Sequence, residues 1–230
     1  MSGTARAQAL AEMAFCEDVL AKGGLSVVTA TLAGVDQIGA WEHYPAADVY
    51  DPVSGGQWYY HCHPAEEGSA EHGHFHCFVR PDGPDGPIHH LLAIGVDAQG
   101  KLLRLFTVNH WVVGDDWIDA EATIPLLARF DMQMPVPSYL VNRWLTGVFG
   151  AYDAEIAGLI RARDEALAER GAALHLRCVK TGTLKFFPNC TLSLSAKHSR
   201  AHVELSRAAD VAGWRGVLGT RRIGGLVHNG

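Results

Sequence analysis

Residues 57–80 read QWYYHCHPAEEGSAEHGHFHCFVR, and their alternation decides the fold. Gly73–Val79 runs Gly-His-Phe-His-Cys-Phe-Val. In an extended strand, side chains two apart share a face. His72, His74 and His76 are therefore expected on one face, and Gly73, Phe75, Cys77 and Val79 on the other. His61 and His63 share a face in the same way, beside the preceding aromatic strand Gln57–Cys62. One side of this pair of strands suits an apolar core and the other suits a polar pocket.

Working outward, PDGPDGP at 81–87 is a turn with no helical option. His90–Asp97 and Leu102–Val113 are apolar runs joined by Asp97-Ala98-Gln99-Gly100, a hairpin connection. Four sequential strands with short links predict an antiparallel meander. Helices flank it. Ala7, Leu10, Ala11, Met13, Ala14 and Leu20 recur at roughly helical spacing before Gly23-Gly24, and a short second helix is expected over Leu25–Leu32. Ser138 is an N-cap residue. Behind it Val141, Trp144, Leu145, Val148, Tyr152, Ile156, Leu159 and Ile160 form one apolar stripe, predicting a single helix to Arg170 with Gly171 as its C-terminal cap. The expected fold is α+β, an antiparallel sheet of about four strands with N- and C-terminal helices packed on one face. The aromatic and acidic stretch Trp41–Asp51 reads as an irregular lid, pocket wall or loop packed over the sheet.

With 230 residues, 48% hydrophobic and 19% charged, the composition is globular and supports a sizeable core. No apolar run approaches the roughly 20 residues of a membrane helix, and no signal peptide is visible at the N-terminus. Five cysteines without paired metal spacing predict a reduced, cytoplasmic protein. The net charge of −6 gives no electrostatic reason to expect nucleic acid. The charge is unevenly divided. Residues 1–174 carry 10 Lys/Arg and 23 Asp/Glu, whereas 175–230 carry 9 and 2. The expected division is one α+β domain over 1–174 and a basic, poorly patterned tail over 175–230, foreign enough in composition to suggest a shifted reading frame or disorder.

The chain has 13 histidines, nine of them between His43 and His110. Imidazole is a metal ligand, a proton carrier or a hydrogen-bonding core group. Burying several unpaired imidazoles together is costly, which favours a chemical use. His61, His63, His74 and His76 are the expected ligands of a Zn or Fe ion. Glu66, Glu67 and Glu71 lie nearby, and Glu71 is the expected acid/base, assisted by His110. Tyr60, Arg80, Asn109 and Trp111 are candidate substrate contacts, and Arg143 is a second candidate fork for a carboxylate. Cys62 and Cys77 are expected to pack in the core opposite the imidazoles. His89 and His90, after the proline-rich turn, are expected to be solvated. The favoured function is a metal-dependent enzyme, hydrolytic or oxidative, on a small-molecule substrate. The alternatives are a metal- or haem-binding protein without turnover and a metal-free nucleotide hydrolase or transferase.

Three resemblances accompany these readings. Gly55-x5-His61-x-His63-x3-Glu67 resembles the first metal-binding motif of the cupins, and Pro84–His89 echoes the second. His72-Gly73-His74-Phe75-His76-Cys77-Phe78 resembles the motif of the histidine-triad nucleotide hydrolases and transferases, which implies alternate histidines working on a phosphate. The widest resemblance rests on Trp41–Pro45, Asp48–Asp51, Tyr59-Tyr60-His61, Glu71–His76, Leu105–Thr107, Asn109, Trp111-Val112 and Pro137-Ser138 through Asn142-Arg143-Trp144. Over residues 24–170 these are similar to a bacterial family catalogued only as a domain of unknown function, which implies no activity.

Overall fold

A computed structural model describes residues 3–62, 69–108, 116–181 and 191–193. Strands β1 (Tyr44–Tyr50), β2 (Gly56–Cys62), β3 (Gly73–Val79), β4 (His89–Val96) and β5 (Leu102–Phe106) form an antiparallel meander in sequence order. A three-residue strand β6 (Thr191–Ser193) adds to the β5 edge. The helices are α1 (Gly3–Lys22), α2 (Val27–Thr31), α3 (Ala120–Thr123) with a following 3₁₀ turn Ile124–Arg129, α4 (Tyr139–Ala151) and α5 (Asp153–Thr181). The fold is α+β, with one strand more than the expected four before β6 is counted. Among the described residues no helix is long and apolar enough to cross a membrane.

The alternation read from the sequence sorts the sheet's two faces. Trp58, Tyr60, Cys62, Phe75, Cys77, Val79, Leu92, Ile94 and Leu105 join one buried cluster with Val141, Trp144, Leu145 and Val148 of α4 and Ile156 and Ile160 of α5. Helix α1 packs on α4 through Met13, Cys16 and Leu20. Two bonds fasten this pair: Arg143 Nε donates to Glu12 Oε1 and Trp144 Nε1 to Glu17 Oε1, each at 2.7 Å. Ser26 caps α2 in a reciprocal pair with Thr29, and the Ser138 hydroxyl accepts from Val141 N at the start of α4.

Helix and sheet are keyed by one buried polar contact. Trp58 Nε1 donates to Asn142 Oδ1 at 2.7 Å, and Asn142 Nδ2 donates to the carbonyls of Met134 and Val136 at 2.7 and 3.0 Å. Trp58 and Asn142 are both fully buried. Asn142→Leu strands an indole N–H and two carbonyls in the core. Each unsatisfied group costs about 1–3 kcal/mol, so the expected loss of stability is about 3 kcal/mol, read as a lower urea midpoint with unchanged slope.

Several expectations need correcting. The stripe after Ser138 spans two helices, because Tyr152 leaves helical geometry at φ −120° and ends α4. Gly150 weakens the last turn, and Asp153 and Glu155 place acid in the first turn of α5, where the helix dipole favours it. Gly171 does not end α5, which continues to Thr181. Trp41–Asp51 is not wholly irregular. It contains β1, whose pattern is broken by left-handed Asp48 and by a shifted register between Tyr44 and Val49, and left-handed Trp41 precedes it. Of the proposed tail, only the end of α5 and β6 fall within the described residues.

Candidate metal centre

The imidazoles are placed by two rungs that cross the sheet on the face away from the main helical core. In one, His61, His74, Gly95 and Arg104 stand opposite each other on β2, β3, β4 and β5. In the next, Tyr59, His76, Ala93 and Phe106 do so. Cross-strand neighbours have Cβ atoms about 4.5–5.5 Å apart, so neighbouring rings touch. His61 Nε2 lies 2.9 Å from His74 Nε2, and His74 Nε2 lies 3.1 Å from His76 Nε2. One ligand atom from each of the three lies within 4.8 Å of those of the others, and all three residues are buried. Nitrogens bound at about 2.0–2.1 Å to one ion sit about 2.9 Å apart at a right angle and about 3.3 Å apart at the tetrahedral angle. The two short separations fall within that range, so the three residues form a triad suited to a single metal ion.

Two of the rings are held from behind. His74 Nδ1 lies 3.0 Å from Glu71 Oε1, and Arg104 donates to both oxygens of Glu71, with Nη2 3.0 Å from Oε1. Gly95 makes room for this pair to meet across β4: a Cβ there would stand 2.6 Å from Glu71 Oε2 and 2.9 Å from Arg104 Cγ. His76 Nδ1 lies 3.1 Å from His90 Nε2. Phe106 packs edge-on to His74, and the Arg104 guanidinium lies over the Phe106 ring.

Burial sets the charge of these groups. It lowers the pKa of His74, partly opposed by the Glu71 carboxylate, and holds His76 well below its usual value, with repulsion from neighbouring imidazoles adding to the effect. Burial, aided by Arg163, holds His90 down at about 3. Burial would raise Glu71, but hydrogen bonds from His74 and Arg104 outweigh it and hold the carboxyl at about 2. His74, His76 and His90 are therefore neutral near pH 7, the state in which an imidazole ligates a metal, and Glu71 is an anion.

The stretch before β2 reaches the same face. Trp41 stands edge-on to His61, with ring centroids 5.8 Å apart. His43 stacks on Tyr59 at 3.5 Å, and Tyr59 leans on His76 at 5.1 Å. His43 Nδ1 lies 2.9 Å from Asp48 Oδ1, and Asp48 Oδ2 accepts from Gln57 Nε2 at 2.9 Å. Part of the expected lid segment thus forms a wall of the site, carrying a half-exposed histidine oriented by a carboxylate.

Of the expected site residues, His61, His74, His76 and Glu71 come together. His63, Glu66, Glu67, Asn109, His110 and Trp111 lie outside the described residues. His72 does not share the face of His74 and His76. It precedes β3, and its Nδ1 lies 2.6 Å from the Tyr60 hydroxyl. Tyr60 is wholly buried on the helix-facing side. Arg80 holds the turn beyond β3, donating to Gln57 Oε1 at 2.8 Å and the Gly86 carbonyl at 2.7 Å. Arg143 is engaged by Glu12 and Asp131. Cys62 and Cys77 are buried opposite the imidazoles. His89 and His90, expected to be solvated, are both buried. The reason for His90 is a bulge: Cys77 faces Leu92 but Phe78 faces His90, leaving Leu91 as the extra residue. That extra residue turns His90 onto the imidazole face, and nothing in the alternation of the sequence announces it.

No curated protein and no solved structure matches the chain. One family does, over residues 7–181, a longer span than the 24–170 carried by the recognisable motifs. The chain belongs to the family described as a domain of unknown function, DUF6969.

Proposed function

We propose that this protein is a metal-dependent enzyme acting on a small molecule, with His61, His74 and His76 as ligands to a Zn or Fe ion. The observation that supports this reading is the convergence of three buried Nε2 atoms, with separations of 2.9 and 3.1 Å between successive rings. Three imidazoles are the protein ligand set of a catalytic site that leaves a coordination position for water or substrate. Zinc there would generate hydroxide near neutral pH, and ferrous iron would leave room for oxygen.

Glu71 serves this reading as the partner that orients His74, because Arg104 and His74 already occupy both its oxygens. That replaces the acid/base role expected from its position in the sequence. His43, half-exposed and oriented by Asp48 beside the triad, is the described group best placed to exchange protons with solvent. The spacing of the Nε2 atoms fits one ion and leaves no slot between them for a flat macrocycle, which disfavours haem. It also aims the rings at each other, which suits nucleophilic attack on a phosphate poorly.

Elemental analysis of purified protein, with an optical spectrum, tests the reading. The expected result is one Zn or Fe per chain. Substoichiometric traces that dialyse away, with no recovery on adding either ion, would defeat it.

A further inference from the structure

We propose that Trp41 is a specificity-determining residue of the metal centre, and that together with His43 it binds a flat, uncharged aromatic ring carried by the substrate. The inference rests on the function proposed above and deepens it by naming the substrate class.

Two ring side chains just before β1 are brought to the triad by the backbone. Trp41 N donates to the Cys62 carbonyl at 2.9 Å, and Ala40 bridges to Cys62. The indole is thereby hung at the end of β2 and stands edge-on to His61, with centroids 5.8 Å apart. Two residues on, His43 stacks on Tyr59 with 9° between the planes, and Tyr59 lies 5.8 Å from His61 and 5.1 Å from His76. Both outer rings keep a large exposed area, 42% for Trp41 and 42% for the His43 side chain. Exposed aromatic surface beside a few convergent, buried polar groups is the make-up of a small-molecule site. A further ring placed against it gains contact energy beyond the area it buries.

The backbone of Trp41 points the same way. Its φ of 71° is left-handed, a conformation that glycine adopts freely and a bulky residue only under strain. Strain of this kind gathers at ligand sites. Packing alone offsets it poorly, because so much of the indole stays in water.

The charges around the wall select an uncharged ring. Asp48 accepts from Gln57 and contacts His43 through its other oxygen. Glu71 is clasped by Arg104 and contacts His74, and the Arg104 guanidinium also covers Phe106. Glu42, next to Trp41, accepts from the Tyr44 hydroxyl at 3.0 Å. Each of these described charges already has a partner, so none is left to hold an ionic group on the ring. The metal-binding end of the substrate meets the ion, and the indole sorts what is attached to that end.

The test uses the full chain loaded with one equivalent of zinc and two probes that grip zinc through the same group, benzohydroxamate and acetohydroxamate. Calorimetric titration gives both affinities, and their ratio is corrected by the ratio for zinc in buffer. The wild type should favour the aromatic probe about 10-fold, which corresponds to about 1.4 kcal/mol and lies within the range of an aromatic pair. Trp41→Gly, which suits the left-handed backbone, should abolish that preference and leave acetohydroxamate binding nearly unchanged. Trp41→Phe should keep most of it. Where Trp41→Gly does not fold, Trp41→Leu, apolar but without a ring, decides on the same criterion. Equal binding of the two probes by the zinc-loaded wild type, binding of neither, or a preference that survives loss of the indole overturns the inference and leaves the triad standing. A chain that takes up no zinc overturns the proposed function and this inference with it.

Discussion

The His74→Ala, His76→Ala double variant should lose the metal altogether. Structural zinc sites with four ligands bind with about 10–16 kcal/mol, or roughly 3 kcal/mol per ligand. Removing two of three described ligands therefore weakens binding by about 6 kcal/mol, on the order of 10⁴-fold. Neither ring belongs to the helix-facing core that holds the fold together, so the variant should still unfold cooperatively in a chelator. Metal content after dialysis against a competing chelator is the measurement. A folded variant that keeps its full complement would move the ion elsewhere and end the assignment of these ligands.

A similarly large effect is expected from acid on the metal-free protein. His74, His76 and His90 have folded pKa values pushed below their usual 6.5 by burial. Unfolding releases these rings into water, where they take up protons below about pH 6.5. The unfolded state then binds more protons than the folded state, so stability is full above that pH and falls as the pH drops. A group contributes up to about 1.4 kcal/mol per pH unit while it stays neutral in the folded state and is protonated in the unfolded one. The window runs from 6.5 down towards about 3 for His90. Glu71, held at about 2 against a usual 4.5, adds to the fall from about pH 4.5 downward. Urea midpoints measured with chelator at pH 7, 6 and 5 should decline steeply. A flat profile would mean that these rings are solvated or charged in the folded protein.

Much of this was legible from alternation alone. The strict period of two in Gly73–Val79 places Phe75 and Cys77 in the core and His74 and His76 across from it, and the antiparallel meander brings His61 opposite His74. Three features escape such reading, each for a physical reason. His90 shares even numbering with Leu92, Ile94 and Val96, all core residues, and only the bulged Leu91 changes its side. Strand β1 is masked by left-handed Asp48 and the register shift between Tyr44 and Val49, which break its period. Arg104 meets Glu71 across 33 positions of chain, a contact between a loop and a non-neighbouring strand that no local pattern encodes. That charged partner helps to hold the Glu71 carboxyl low.

Gly95 gives the site a handle remote from its chemistry. The strand between His74 and Arg104 offers a gap where a side chain would otherwise stand, and the carboxylate–guanidinium clasp closes over it. A single methyl group there would press on both partners of the clasp and so disturb the carboxylate that orients His74. Any ion held by the triad would therefore feel a steric change in the middle of the sheet, made at a residue that has no donor atom in its side chain.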